Sequence, residues 1–267
     1  MRGPARLGSV VGMHAPPTTL TTLPPPPPPP TTTTTGPRTD WTVPLAVAAI
    51  GALVVMIAIT IATGVSQERF ELAGDVGAYA AALRAHPTAI RAVFAADTVF
   101  LVLYSALFLQ LGRRLATDAT RTMIAIATGA LLATAVLDMI EDHHILAMLA
   151  STEAGEPPGP GALVFQHTLS QVKFNVSYLG LFLFGLAVPR RRASGVALAL
   201  LLTVGTVVQG AWLYAAPADL QAIGSFGRWL GFVTGFALAI AVVRSPDEPG
   251  GGSAAGPGPR RAPAAAG

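Results

Sequence analysis

The chain has 267 residues, of which 52% are hydrophobic and only 12% are charged, and its formal net charge is +3. Soluble domains carry about 25% charged residues, so this composition excludes a soluble globular protein and indicates a multi-pass membrane protein. Because the sequence contains no cysteine, disulfides, cysteine-ligated metals and a thiol nucleophile are also excluded.

Both ends of the sequence are of low complexity. Residues 1–42 contain the uninterrupted proline run Pro24–Pro30, which favours an extended polyproline II rod. We predict a disordered Pro/Thr-rich cytoplasmic arm that acts as a spacer or binds a protein partner with an aromatic-lined groove. Residues 245–267 are predicted to be a second disordered cytoplasmic tail. Either Met1 or Met13 could be the true start.

Between the tails lie six apolar stretches, each long enough for the roughly 20 residues that a membrane-spanning helix needs. We therefore predict that residues 43–244 form an all-α integral membrane domain, a six-transmembrane-helix bundle. The predicted spans are 44–65, 88–111, 122–149, 163–188, 196–216 and 223–243.

Basic residues are distributed unevenly over the segments that flank these spans. Twelve of the 17 lysines and arginines fall in the arm, in the connections after spans two and four, and after span six. Because the positive-inside rule assigns such segments to the cytoplasm, we predict that both termini are cytoplasmic.

The first outer connection has a helical pattern of its own. Asp75 is a suitable N-cap, and apolar residues recur at helical spacing until Pro87. The predicted helix, residues 75–86, is either an amphipathic helix on the outer membrane surface or a lid packed over the bundle.

Five of the predicted spans carry a polar or charged residue at a similar depth. Each lies 16 or 17 residues from a cytoplasmic arginine, which corresponds to about 24–26 Å along a helix. These residues are Asp97, Asp138, Lys173, Gln209 and Arg228. The four formal charges among them cancel, and buried ions are tolerated when they are paired. We expect Lys173 to pair with Asp138, with Asp97 as the competing partner.

A second polar set is predicted about two helical turns further out. It contains Glu141, which shares a helix face with Asp138 and which we assign with it to the charge network. Three further residues are interpreted as contacts at an outer gate. The gate residues are Arg91, Asp142 and His167. The alternative is an interfacial cap of partly hydrated acids and histidines.

The same region offers a candidate metal site made of Glu141, His144 and His167, because carboxylate and imidazole both ligate transition metals. Helical di-metal bundles use two Glu-x-x-His pairs, whereas this sequence has one. We therefore predict no cofactor, and a mononuclear metal or a haem remains the alternative.

The last span carries a stripe of small residues, Gly227, Gly231 and Gly235. Small residues at this spacing let helix backbones approach closely. We interpret the stripe as a helix-packing face that could also form a homodimer.

Asp138-Met-Ile-Glu141-Asp142, together with Asp97 in span two and Lys173 in span four, resembles a pattern in uncharacterised bacterial multi-pass membrane proteins. Those proteins carry an Asp-x-x-Glu-Asn/Asp signature in the third span. The resemblance covers spans two to four and implies a bacterial inner-membrane location, but it implies no activity.

Three functions are compatible with these features. The first is a small-solute or proton-coupled transporter with an outward-facing charged vestibule, in which Asp138 and Glu141 exchange protons and Lys173 changes its partner. The second is a non-catalytic scaffold whose buried charges are structural, and the third is a metal- or haem-binding redox enzyme. No nucleotide-binding or hydrolase motif occurs in the sequence, so an enzyme is least favoured. The expected partner is the lipid bilayer, and dispersed basic charge argues against nucleic acid.

Overall fold

The computed structural model describes residues 40–71, 74–215 and 221–244, and in these ranges the chain is helical with no β-strand. Nearly all of the predicted proline-rich arm and the whole C-terminal tail lie outside the described residues. The helices are α1 (Thr42–Thr63), α2 (Glu68–Glu71), α3 (Val76–Ala85), α4 (Pro87–Leu115), α5 (Arg121–Glu153), α6 (Pro160–Ala187), α7 (Ala193–Leu200), a π-helical turn (Leu201–Gly205), α8 (Thr206–Ala215) and α9 (Gln221–Arg244).

Five segments are long and apolar enough to cross a membrane. They are Thr42–Thr63, Pro87–Leu115, Arg121–Glu153, Ala193–Trp212 and Phe226–Arg244. The all-helical fold and these apolar helices agree with the prediction of a membrane protein. The fourth predicted span, α6, has 28 residues but is less apolar, because polar side chains interrupt its first half.

Short connections make the long helices antiparallel to their neighbours in the chain. Arg114, near the end of α4, donates hydrogen bonds to Asp40, which precedes α1, and to the carbonyl of Val243 near the end of α9, the latter at 2.9 Å. The start of α1 and the ends of α4 and α9 therefore lie at the same end of the bundle.

The most extensive helix interface joins α5 and α6, and it depends on a glycine. A Cβ at Gly180 would lie 2.8 Å from Cγ of Leu131 and 3.1 Å from the carbonyl oxygen of Ala127. The first distance is too short for a Cβ and the second is tighter than usual, so the absence of a side chain at Gly180 lets the two backbones approach.

Helix α3 is a lid over one end of the bundle. The Asp75 carboxylate accepts a hydrogen bond from the Ala78 backbone amide at 2.8 Å, which makes it the N-cap. Tyr79 and Leu83 are buried in an apolar cluster that also contains residues of α4 and α5. Burial raises the pKa of the Tyr79 phenol above its ordinary value. One face of α3 is therefore packed against the bundle, and the opposite face is exposed.

Two apolar clusters form the core, and the polar residues lie between them. The larger cluster contains aromatic residues of α4, α6 and α9, and the smaller lies beneath α2 and α3. On α4, for example, Asp97 falls between Phe94 of the smaller cluster and Phe100 of the larger. Charged groups at this level are therefore shielded from water from both directions.

Candidate functional site

Lys173, the only lysine in the sequence, is the centre of a buried ionic cluster. Its Nζ donates to Glu71 Oε1 at 2.7 Å, to Asp138 Oδ1 at 2.8 Å, and to Glu141 Oε2. An ammonium group has three donors, and each has a carboxylate acceptor here. The predicted pair with Asp138 is present, and two further carboxylates share the lysine.

Glu71 comes from the connection after α1 and not from a predicted span. Its second carboxylate oxygen accepts a hydrogen bond from Nη1 of Arg228 at 3.3 Å. Burial opposes ionisation of Glu71, but the charges of Lys173 and Arg228 outweigh it and hold its pKa below the ordinary value. Arg228 thus reaches the cluster through Glu71, a residue that sequence reasoning placed in an outer loop.

The short helix α2 inserts Glu71 into the bundle. Phe70 is only 1% exposed and anchors the helix in the smaller apolar cluster. The indole of Trp229 donates to Glu68, and the hydroxyl of Ser170 donates to the Glu71 carbonyl oxygen at 3.2 Å. One sequence feature could have indicated this insertion. Phe70, an aromatic residue, lies between the acids Glu68 and Glu71 in a predicted loop.

Gln67 joins a second group of carboxylates to the first. Its Nε2 lies 3.3 Å from Asp142 Oδ1 and 3.5 Å from oxygens of both Asp97 and Asp138. One oxygen from each of these three acids lies within 4.8 Å of the others. A single amide nitrogen has only two hydrogens, so these acids need a proton or a cation between them.

The buried acids outnumber the buried bases. Five carboxyl groups face two cations, which would leave a net charge of −3 if every group were ionised. The acids of the cluster are Glu71, Asp97, Asp138, Glu141 and Asp142, and the bases are Lys173 and Arg228. Glu68 is buried as well, but it accepts from the Trp229 indole at the edge of this cluster. The four charges of the predicted layer cancel, but α2 adds one acid to them and α5 turns two more towards the same level. Isolated charges are costly in low dielectric, so the cluster must retain protons or bind a cation.

Glu141 belongs to this cluster, together with Asp138 and Lys173. Its Oε1 accepts from Nε2 of Gln166 at 2.7 Å and from the hydroxyl of Ser170. Gln166 and Ser170 are fully buried. Sequence reasoning missed them, although they lie seven and three residues before Lys173 and so share its helix face.

The three predicted gate residues do not come together. Arg91 forms a two-point ion pair with Glu153, at 3.1 and 2.5 Å, on the exposed surface. His167 is exposed, whereas Asp142 is buried and hydrogen-bonded to Gln67. Only Asp142 of the three therefore belongs to the ionic cluster.

Glu141, His144 and His167 likewise do not converge on a metal site. His144 Nε2 lies 3.2 Å from the carbonyl oxygen of Ala162, and Glu141 is occupied by Lys173. Over the described ranges, the acid and histidine groups close enough to share an ion contain carboxylates alone. Such oxygen ligands suit hard cations and do not suit haem.

Gln209 and the glycine stripe lie beside a cavity. Gln209 Nε2 donates to a backbone carbonyl of α9 at 3.2 Å. Among the described residues, a Cβ would meet no atom within 4 Å at Gly227, only Gln209 Oε1 at 4.0 Å at Gly231, and only a Leu201 methyl at 3.6 Å at Gly235. In this part of the structure the stripe therefore lines a cavity of about 400 Å³ instead of packing tightly against another helix.

The predicted open vestibule is not present among the described residues. Glu71, Glu141 and Lys173 are at most 3% exposed. A space of about 80 Å³ adjoins Glu71, Asp97 and Asp138. The site is a buried cluster under a four-residue helix rather than an open funnel.

No protein-family model, curated protein or solved structure matches this chain. Its function therefore has to be argued from the chemistry of the site. That site is a buried cluster of helix-borne carboxyl groups, crosslinked by one lysine and adjacent to an apolar cavity.

Proposed function

We propose that this chain is a six-span protein of a bacterial inner membrane that couples the movement of a small solute to the binding and release of protons. The supporting observation is the buried cluster in which five carboxyl groups face two cations. Ionisable residues inside membrane-spanning helices are costly and commonly mark ion or proton pathways. A cluster with excess acid changes its number of bound protons whenever a neighbouring charge arrives or leaves.

The six-span topology includes α6 as a crossing helix. The charge of Lys173 does not prevent this, because its three carboxylate partners lie within the bundle. The contacts of Arg114 with Asp40 and Val243 fit an even number of crossings, with both ends of the domain on one side. The positive-inside rule makes that side cytoplasmic.

Asp138 is the group through which proton binding would be transmitted. It belongs to both carboxylate groups, because its Oδ1 accepts from Nζ of Lys173 and lies 3.5 Å from Nε2 of Gln67. When Asp138 takes up a proton, Lys173 keeps its two glutamate partners, Glu71 and Glu141, and Asp138 is free to donate to a neighbouring aspartate. A transporter needs two such states, and α2, which covers the cluster, is the element that opens between them.

The test is proton entry into liposomes that contain the reconstituted protein and a pH-sensitive dye, driven by a potassium diffusion potential. Asp138→Asn should lower the rate by about a hundredfold, since positioned proton-transfer groups contribute about 10²–10⁴. Asp118→Asn is the matched control, because that side chain is fully exposed. Proton entry that is the same in Asp138→Asn and in the parent protein would refute the proposal.

The scaffold function is the second candidate, and one observation favours it. Lys173 ties together α2, α5 and α6 with every donor engaged, which is the arrangement of a structural lock. In this case the proline-rich arm would recruit a protein partner, and the last span could form a homodimer. Loss of the fold on removing Lys173, with no proton entry that depends on Asp138, would favour the scaffold.

A further inference from the structure

The cavity beside α9 is apolar along most of its length. At about 400 Å³, it falls within the range of about 300–1,000 Å³ that is usual for ligand sites. That volume suits one alkyl chain and is small for a two-chain phospholipid. Its walls come from α4, α6, α7, the π-helical turn, α8 and α9, and the apolar residues include Leu107, Phe108, Leu181, Leu202, Phe232 and Phe236.

Local backbone features provide the space for this cavity. The stripe of Gly227, Gly231 and Gly235 presents no side chains on the α9 side. On the opposite side, the π-helical turn Leu201–Gly205 interrupts the helix, and such turns are frequent at functional sites. A stripe of glycines that packs against nothing closer than 3.6 Å leaves room for a ligand.

One end of the cavity is cationic, and its arginine has unused donors. Arg228 uses Nη1 for Glu71, whereas its Nε and Nη2 are buried and have no hydrogen-bond partner among the described residues. The ring of Phe174 lies 4.3 Å from the guanidinium carbon and holds that plane in place. Nε–H and Nη2–H lie on one side of a guanidinium and form the fork that binds both oxygens of a carboxylate.

We propose that this cavity binds a single-chain amphiphile with a carboxylate head, the alkyl chain lying along the glycine stripe and the head on the free side of Arg228. Such a molecule is then the solute class of the transporter, a role that rests on the proposed function. A carboxylate at Arg228 adds one negative charge beside Glu71, and uptake of one proton by the cluster balances it. Ligand binding and proton binding are thereby coupled reciprocally.

The test uses the full chain in nanodiscs of a zwitterionic two-chain phospholipid, with a diazirine-bearing hexadecanoic acid as the photoreactive probe. Labelled peptides mapped by mass spectrometry should come from the cavity walls on α6, α8 and α9. Gly231→Leu should lower this labelling about tenfold, because the new side chain overfills the cavity. Gly51→Leu is the matched control, since Gly51 is an exposed glycine of α1 with no atom within 4 Å of its Cβ position.

A second probe tests recognition of the head. The corresponding diazirine-bearing alcohol lacks the carboxylate and should label the cavity about tenfold less, since hydrogen bonds to charged groups are the stronger ones. Equal labelling by acid and alcohol would mean that the cavity accepts any bilayer chain, which overturns the proposal. Cavity labelling that persists in Gly231→Leu would overturn it as well.

The same variants separate this inference from the proposed function. Specific labelling by the acid, combined with proton entry that is indifferent to Asp138→Asn, would support the binding site and refute transport. Proton entry that depends on Asp138, combined with no labelling of the cavity, would support proton coupling and overturn the amphiphile site.

Discussion

Replacement of Lys173 by methionine is the most direct perturbation of the ionic cluster. Methionine preserves the length of the side chain and removes the charge that contacts Glu71, Asp138 and Glu141. Removing one partner of a buried ion pair costs about 3–5 kcal/mol. Three acids lose their cation here, but they can take up protons. We therefore expect the free energy of unfolding to fall by an amount within this range and not by three times as much. At roughly 2–4 °C per kcal/mol for a chain of this size, Tm should fall by about 6–20 °C.

The assay is thermal unfolding of the purified protein in detergent at two pH values. The loss in Lys173→Met should be larger at pH 8 than at pH 5, because a protonated carboxyl group needs no cation beside it. Arg121→Met is the control, since its ion pair with Asp118 is exposed, with 76% and 100% of the two side chains accessible. Such surface pairs contribute about 1 kcal/mol or less.

An unchanged or higher Tm of Lys173→Met at both pH values would refute this reasoning. The carboxyl groups would then be shown to tolerate the lysine without depending on it. The presence of a buried charge that the fold does not require is better explained by a functional role. This result would therefore favour transport over the scaffold.

Two further predictions concern stability. Glu71 has a folded-state pKa below its ordinary value of 4.5, so its ion pairs stabilise the fold above that pH and the contribution is lost as the pH falls through the folded-state pKa. Glu71→Gln should therefore lower Tm at pH 7, and the deficit should shrink as the pH falls below 4.5 through the folded-state pKa; a deficit that is the same at pH 7 and in acid would contradict this. Gly180→Ala should lower the stability of the α5–α6 interface by about 1–3 kcal/mol through overpacking, measured as Tm. Gly129→Ala, at an exposed position with no atom within 4 Å, should instead be neutral or stabilising by up to about 1 kcal/mol.

Part of the site was predictable because it follows from helix periodicity. Asp138, Glu141 and Asp142 occupy one face of α5 at positions i, i+3 and i+4, so their burial together is a local property. The ion pair of Lys173 with Asp138 could be predicted because the two residues lie at equal depth on consecutive antiparallel helices. Glu141 contacts Lys173 as well, because side chains of adjacent turns reach the same lysine.

Other parts could not be predicted from local patterns. Glu71 and Lys173 are 102 residues apart in the chain, and no periodicity connects a loop acid with a distant helix. The glycine stripe of α9 was interpreted as a packing face, since spacing alone does not tell whether another helix or a cavity lies opposite. His144 follows Glu141 by three residues on α5, and His167 lies on α6. Whether their imidazole rings meet Glu141 depends on how α6 packs against α5.

The sequence by itself determined that this protein is helical and membrane-embedded, and which segments are apolar, because hydropathy and periodicity are properties of contiguous residues. Only the tertiary structure decided that α2 inserts Glu71 into the bundle, that five acids face two cations, and that a cavity adjoins Arg228. These features arise where segments distant in the chain pack against each other. Their free energies depend on burial and on hydrogen-bond geometry, and neither exists until the helices have assembled.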